Sequence, residues 1–152
     1  MKTIGIRVST TEVTYAIYDS DNKKVISAAQ IIYPKALDAP EALKYIRNTI
    51  LDIIRENSVF SAGIRTAEPM APSVNIERVQ IEGVIQEALA SSTVARYFHG
   101  PISVIAAKIG IPREEFKKSL GKDGVYAEVE NWTSNTDKEK EAILTAIGAV
   151  NA

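Results

Sequence analysis

Between Thr3 and Pro34 the chain alternates apolar and polar residues in a way that predicts a three-stranded antiparallel meander. In Thr3-Ile4-Gly5-Ile6-Arg7-Val8, the residues Ile4, Ile6 and Val8 fall on one face and Thr3, Gly5 and Arg7 on the other. Ser9-Thr10-Thr11 breaks the run, and Val13, Tyr15 and Ile17 line a second strand. Asp19-Ser20-Asp21-Asn22 is rich in turn formers. Lys24 to Tyr33 is a third, mostly apolar strand that Pro34 ends. Arg7, a fixed cation in the middle of the first strand, bears most directly on function.

Helical signals follow. Asp38-Ala39-Pro40-Glu41 combines an N-cap, a first-turn proline and a carboxylate three residues after the cap. The helix runs to about Asn57 with Leu43, Ile46, Ile50, Ile53 and Ile54 as its apolar stripe. Val59 to Ala67 reads as a fourth, central strand. The helical crossover makes it parallel to the first. Phe60, Ala62, Ile64, Thr66 and Glu68 share one face, and Glu68 closes the strand before Pro69, where open α/β sheets bind ligands.

A second helix covers Ile76 to Ser91, with Ile81, Val84, Ile85, Ala88 and Leu89 inward and Glu77, Glu82 and Glu87 in solvent. Gly83 would allow close approach of a neighbouring element. Thr93 to Phe98 fits either a helical continuation or a short strand, and His99, the only histidine, reads as a surface residue. Ser103 to Gly121 admits two readings. In one, Ile102-Ser103-Val104-Ile105 is a fifth strand leading to a helix from Pro112. In the other, two short helices break at Gly110-Ile111-Pro112, and Ile105, Ala106, Ile109, Gly110, Ile111 and Phe116 fit a helix-turn-helix. Lys108, Arg113, Lys117, Lys118 and Lys122 oppose only Glu114 and Glu115 here, a local basic surface suited to phosphates. Val125 to Trp132 suits an edge strand or a loop. Thr136-Asp137-Lys138-Glu139 is a capping box opening a last helix with Ile143, Leu144, Ile147 and Val150 on its apolar side.

Composition bounds the function classes. The 152 residues suit one domain, residues 1–152. Lys plus Arg is 18 and Asp plus Glu is 19, so only a local patch could attract nucleic acid. With no cysteine there is neither a disulfide nor a thiolate metal site. No apolar run is long enough for a membrane span and the N-terminus has no signal-peptide pattern, so a cytoplasmic location is expected.

The order of three antiparallel strands, a helix, a parallel strand ending in Glu68, a helix and an acid-opened last helix resembles the RNase H-like fold, most of all its RuvC-type Holliday-junction resolvase branch. The resemblance implies an α/β domain with a mixed five-stranded sheet, antiparallel then parallel, flanked by helices. It also implies a carboxylate in the first strand, a Glu ending the fourth and acids on the last helix. Together these would hold two Mg²⁺ or Mn²⁺ ions about 4 Å apart for phosphodiester hydrolysis. Gly5-Ile6-Arg7 stands where that family has Gly-Ile-Asp, so Arg7 replaces the first acid. Glu68 matches the fourth-strand Glu; Asp137, Glu139 and Glu141 compete for the last-helix position, with Lys138 and Lys140 between them. Glu115 to Gly121 is similar to the basic helix of resolvases, which implies nucleic-acid contacts by Lys108, Arg113, Lys117, Lys118 and Lys122.

Arg7 is expected to pair with Glu68 or with a last-helix acid, a cation standing in for a cation. The resulting expectation is a resolvase-like protein that binds nucleic acid rather than cutting it. One alternative is an active Mg- or Mn-dependent nuclease using Glu68, Glu139 and Glu141, helped by Glu12 or Asp19. The others are an actin-like ATPase-related domain, suggested by the opening hairpin, and a structural or protein-interaction domain, a homodimer as this fold often forms.

Overall fold

A computed structural model describes residues 1–152. Five strands form one mixed sheet: β1 (Lys2–Val8), β2 (Val13–Asp19), β3 (Lys24–Ile31), β4 (Ser61–Arg65) and β5 (Arg96–Gly100). Their order is β3-β2-β1-β4-β5, with β1 to β3 antiparallel and β4 and β5 added parallel. The helices are α1 (Ala39–Asn57), α2 (Ile76–Ser91), α3 (Ile102–Ile109), α4 (Arg113–Leu120) and α5 (Asp137–Gly148).

The alternation in β1 divides the molecule into two layers of core. Ile4, Ile6 and Val8 pack with Ala62 and Ile64 of β4 against Ile46, Ile50 and Ile54 of α1 and Ile81 and Ile85 of α2. The opposite face lies under α5. A Cβ at Gly5 would stand 2.1 Å from the Ala142 carbonyl oxygen and 2.2 Å from the Ala146 nitrogen, so only glycine permits this approach. Two residues earlier along the paired strands, Thr3 Oγ1 donates to the Ala146 carbonyl at 2.6 Å and its register partner Ser61 donates through Oγ to the Ala149 carbonyl at 2.5 Å. Small and hydroxyl-bearing residues on β1 and β4 thus let α5 lie across the centre of the sheet, with α3 and α4 packed outside it.

The structure decides two readings left open and corrects the expectations for Glu68, Gly83 and Glu82. Residues Ile102 to Ile105 are helical, because Gly100-Pro101 closes β5 and Pro101 opens α3. Two short helices therefore follow, joined at Gly110 with φ 77°. Val125 to Trp132 forms turns that end in a 3₁₀ segment, and Trp132 is buried with Nε1 donating to the Ser119 carbonyl. β4 ends at Arg65, so Glu68 stands three residues beyond the strand. Gly83 has no neighbour that a Cβ would meet, so close approach does not explain it. Glu82 is buried rather than solvated, since its Oε1 accepts from the Ala67 N–H and from Arg78 Nε.

Candidate functional site: an arginine–glutamate cluster

β1 and β4 run parallel with Gly5 opposite Gly63, Ile6 opposite Ile64 and Arg7 opposite Arg65. The same tripeptide, Gly-Ile-Arg, thus lies side by side in both central strands. The glycines sit under α5, and the arginines emerge where the strands end. Both guanidiniums reach Glu141 on α5. Arg7 Nε donates to Glu141 Oε2 at 2.6 Å, and Arg65 Nε lies 3.4 Å from the same oxygen. Arg65 is only 6% exposed, and its Nη2 lies 3.4 Å from Glu68 Oε1. Glu68 Oε1 also accepts the Ile102 N–H at 3.1 Å, and its Oε2 receives Arg113 Nη2 of α4 at 3.5 Å.

The result is a continuous chain of charge: Arg7, Glu141, Arg65, Glu68 and Arg113. Burial pulls the Arg65 guanidinium below the ordinary arginine range. Glu141 and Glu68 oppose that pull, while Arg78 and Arg7 reinforce it. Arginine stays charged under such pressure, and its planar fork can bind more than one oxygen at once.

Not every expected residue joins. Glu139 is committed to its helix end: its Oε2 accepts the Thr136 N–H at 2.8 Å while Thr136 Oγ1 accepts the Glu139 N–H. Glu12 is bound by Lys138, and Asp19 lies beside the amino terminus at the opposite end of its strand. Among the basic residues, Lys108 donates to the Asn151 carbonyl and lies 5.2 Å from the Phe98 ring centroid. Lys117, Lys118 and Lys122 are exposed and carry no ion pair. Lys140 is buried, with Nζ donating to the Leu120 and Gly121 carbonyls and lying 5.7 Å from the Trp132 ring centroid.

Sequence reasoning missed Arg65, although the duplicated Gly-Ile-Arg carried the signal. It also missed Arg78, whose Nε donates to the buried Glu82 at 2.9 Å.

The fold's divalent-metal chemistry requires clustered carboxylates with free oxygens. Here Glu141 and Glu68 are already engaged by guanidiniums, and no group of three histidine, cysteine or acidic side chains could hold a metal ion. Two fixed cations also occupy the strand ends where the ions' charge would act. These residues do not fit a two-metal centre.

The fold is that of the RuvC-type resolvases, an RNase H-like fold. Thermus thermophilus RuvC in complex with a Holliday junction substrate aligns with TM-score 0.69 and 13% identity over 97% of this chain and 92% of that one. A second T. thermophilus RuvC structure gives TM-score 0.69 and 15% identity over the same shares. A ROK hexokinase from T. thermophilus covers 71% of this chain and 36% of its own at TM-score 0.40, too slight a likeness to argue from. No family model matches the chain, and no curated protein matches it.

Proposed function

We propose that this chain binds nucleic acid through a RuvC-like fold and does not cut it. The observation that carries the reading is the Arg7–Glu141 hydrogen bond of 2.6 Å in the middle of the candidate site. Hydrolysis by this fold asks two metal ions to activate water and to stabilise the leaving oxygen. A guanidinium can neutralise a carboxylate or a phosphate, but it has no ligand site for water and cannot lower a water's pKa by coordination. The Arg7 and Arg65 guanidiniums hold Glu141 in place of metal ions. The chemistry left to such a cluster is electrostatic attraction.

Lys117, Lys118 and Lys122 extend the positive surface from Arg113 along α4 and past its end. Their contacts would be to phosphates, which give affinity and salt dependence without reading sequence. The reading includes a homodimer, as the resemblance implies, and light scattering on the purified protein tests that part.

Two experiments on purified protein test the function. Binding to a four-way DNA junction is measured by fluorescence anisotropy across a salt series, alongside a Lys117→Ala/Lys118→Ala variant. Binding is expected, and the double variant should lower the slope of log affinity against log salt by about two. Calorimetry with Mn²⁺ and cleavage assays with Mg²⁺ or Mn²⁺ are run on the wild type and on Glu68→Ala. No metal binding and no cleavage are expected. Mg²⁺-dependent cleavage that disappears in Glu68→Ala would overturn the reading and restore an active nuclease.

A further inference from the structure

We propose that a cavity beside the arginine–glutamate cluster is a binding site for a phosphomonoester. The cavity measures about 370 Å³ and lies between the end of β4, the Pro69–Asn75 loop and the first turn of α2. Arg65 and Arg78 both line it together with Glu68, with Thr10, Ser73 and Asn75 supplying further polar groups and Val79 an apolar side. This volume suits a phosphate together with a small organic group.

Three features give the cavity its anion character. Arg65 is more than nine-tenths buried, and its Nε has no hydrogen-bond partner although Glu141 lies within ion-pair reach. Arg78 likewise leaves Nη2 without a partner. Both atoms are closed off from water, and the charge nearest Arg65 Nε is Glu141, so an anion in the cavity would act on the two guanidiniums through their charge rather than as the missing hydrogen-bond partner. Finally, α2 is 16 residues long and starts at the cavity, where Asn75 Oδ1 accepts the Arg78 N–H at 2.8 Å. The helix N-terminus adds positive potential on the same side as the guanidiniums.

The surrounding carboxylates are already neutralised. Glu82 is held by Arg78 and the Ala67 N–H, Glu68 by Arg65, Arg113 and the Ile102 N–H, and Glu141 by Arg7 and Arg65. In the linked network four guanidiniums meet three carboxylates, and the cavity lining itself carries Arg65 and Arg78 against Glu68. A terminal phosphate dianion suits two guanidiniums and a helix N-terminus better than a backbone diester, which carries one charge and needs an exit at both ends. The phosphate could arrive as a free mononucleotide-sized molecule or as the phosphorylated end of a strand. The strand-end case rests on the nucleic-acid reading above.

Isothermal titration with inorganic phosphate and with a nucleoside 5′-monophosphate tests the free-molecule source. Anisotropy with one single-stranded oligonucleotide, carrying either a 5′-phosphate or a 5′-hydroxyl, tests the strand-end source. Arg78→Gln and Ser73→Glu are measured beside the wild type. Ser73 is exposed, whereas Arg78 is half-buried and pairs with the buried Glu82, so circular dichroism reports whether each variant folds. The proposal expects either binding of the small phosphates or at least a tenfold preference for the phosphorylated end, lost in both variants. Binding only at the phosphorylated end assigns the site to strands, and binding only of small phosphates assigns it to a free ligand. Phosphate-independent binding, or binding unchanged in both variants, would overturn the proposal. Junction binding with no phosphate effect would sink this inference alone. Phosphate binding with no nucleic-acid affinity would sink the nucleic-acid reading alone.

Discussion

Arg7 and Arg65 are register partners on adjacent parallel strands, and both converge on one carboxylate, Glu141. Like charges side by side repel, and burial sharpens the repulsion. The pair is tolerable because Glu141 lies against both and Glu68 against Arg65. The cluster is a single electrostatic unit, so its members should not behave additively when replaced.

Replacing Arg7 by Ala removes the shorter of the two contacts to Glu141 and leaves the longer one. The expected loss is about 2 kcal/mol, below the roughly 3–5 kcal/mol for breaking a buried pair outright, because Arg65 remains. Urea denaturation of Arg7→Ala, Glu141→Gln and the double variant measures the coupling, expected at about 1–2 kcal/mol. A coupling near zero would mean that the two side chains do not act on each other in solution.

Gly5 and Gly83 should respond in opposite directions to the same change. Gly5→Ala drives a methyl into the backbone of α5, because the nearest atoms are Ala142 O and Ala146 N rather than movable side chains. A loss of about 3 kcal/mol or more is expected, at the upper end of overpacking effects. Gly83→Ala meets nothing within 4 Å and lies inside α2, so it should stabilise by about 0.5–1 kcal/mol. Thermal melts of the two variants decide the matter.

Lys140 caps the end of α4 from within the core, and its Nζ also lies over Trp132. Lys140→Met keeps the stem but strands the Leu120 and Gly121 carbonyls. The expected cost is about 1–3 kcal/mol. Trp132 reports locally: its emission should shift to the red in the variant, since it is the only tryptophan.

Alkaline pH should loosen the contact between the Tyr126 segment and the sheet. Burial first, then Glu128 and Tyr18, push the Tyr126 hydroxyl up to about 12 from 10.0. The contribution is intact below about pH 10, where the tyrosine of an unfolded chain also keeps its proton, and is lost as pH rises through about 12. Absorbance at the phenolate band, followed with Tyr126→Phe beside the wild type, should show one late-ionising group missing from the variant. A titration identical in the two proteins would contradict the assignment.

How far the sequence discloses this molecule depends on the length of its signals. The meander, α1 and α2 are legible because alternation and helical periodicity repeat over many residues. The Thr136 capping box marks the start of α5. β5 is hidden because Arg96-Tyr97-Phe98-His99-Gly100 buries only Phe98 and Gly100, too short a run to display a period. The site divides in the same way. Arg7 stands out against its strand, and its partner must be an acid, but three acids crowd the start of α5. The choice of Glu141 follows from helix geometry: Glu139 turns back to its cap, while Glu141 faces the sheet. Arg65 escapes a linear reading because its meaning lies in lateral pairing with Arg7, which exists only once β4 is placed beside β1.

The hydrogen bond from Thr3 to the Ala146 carbonyl joins residues 143 positions apart. During synthesis the first strand leaves the ribosome long before the helix that covers it. At roughly 5–20 residues per second the interval is on the order of ten seconds. For that time the trough at Gly5 and the apolar residues Ala16 and Tyr18 lack their cover, and the partners of Arg7 and Arg65 on α5 have not yet been made. Completion of the domain is therefore timed by its last helix. A nascent chain stalled before residue 137 would present a half-clad sheet to whatever chaperones wait at the exit.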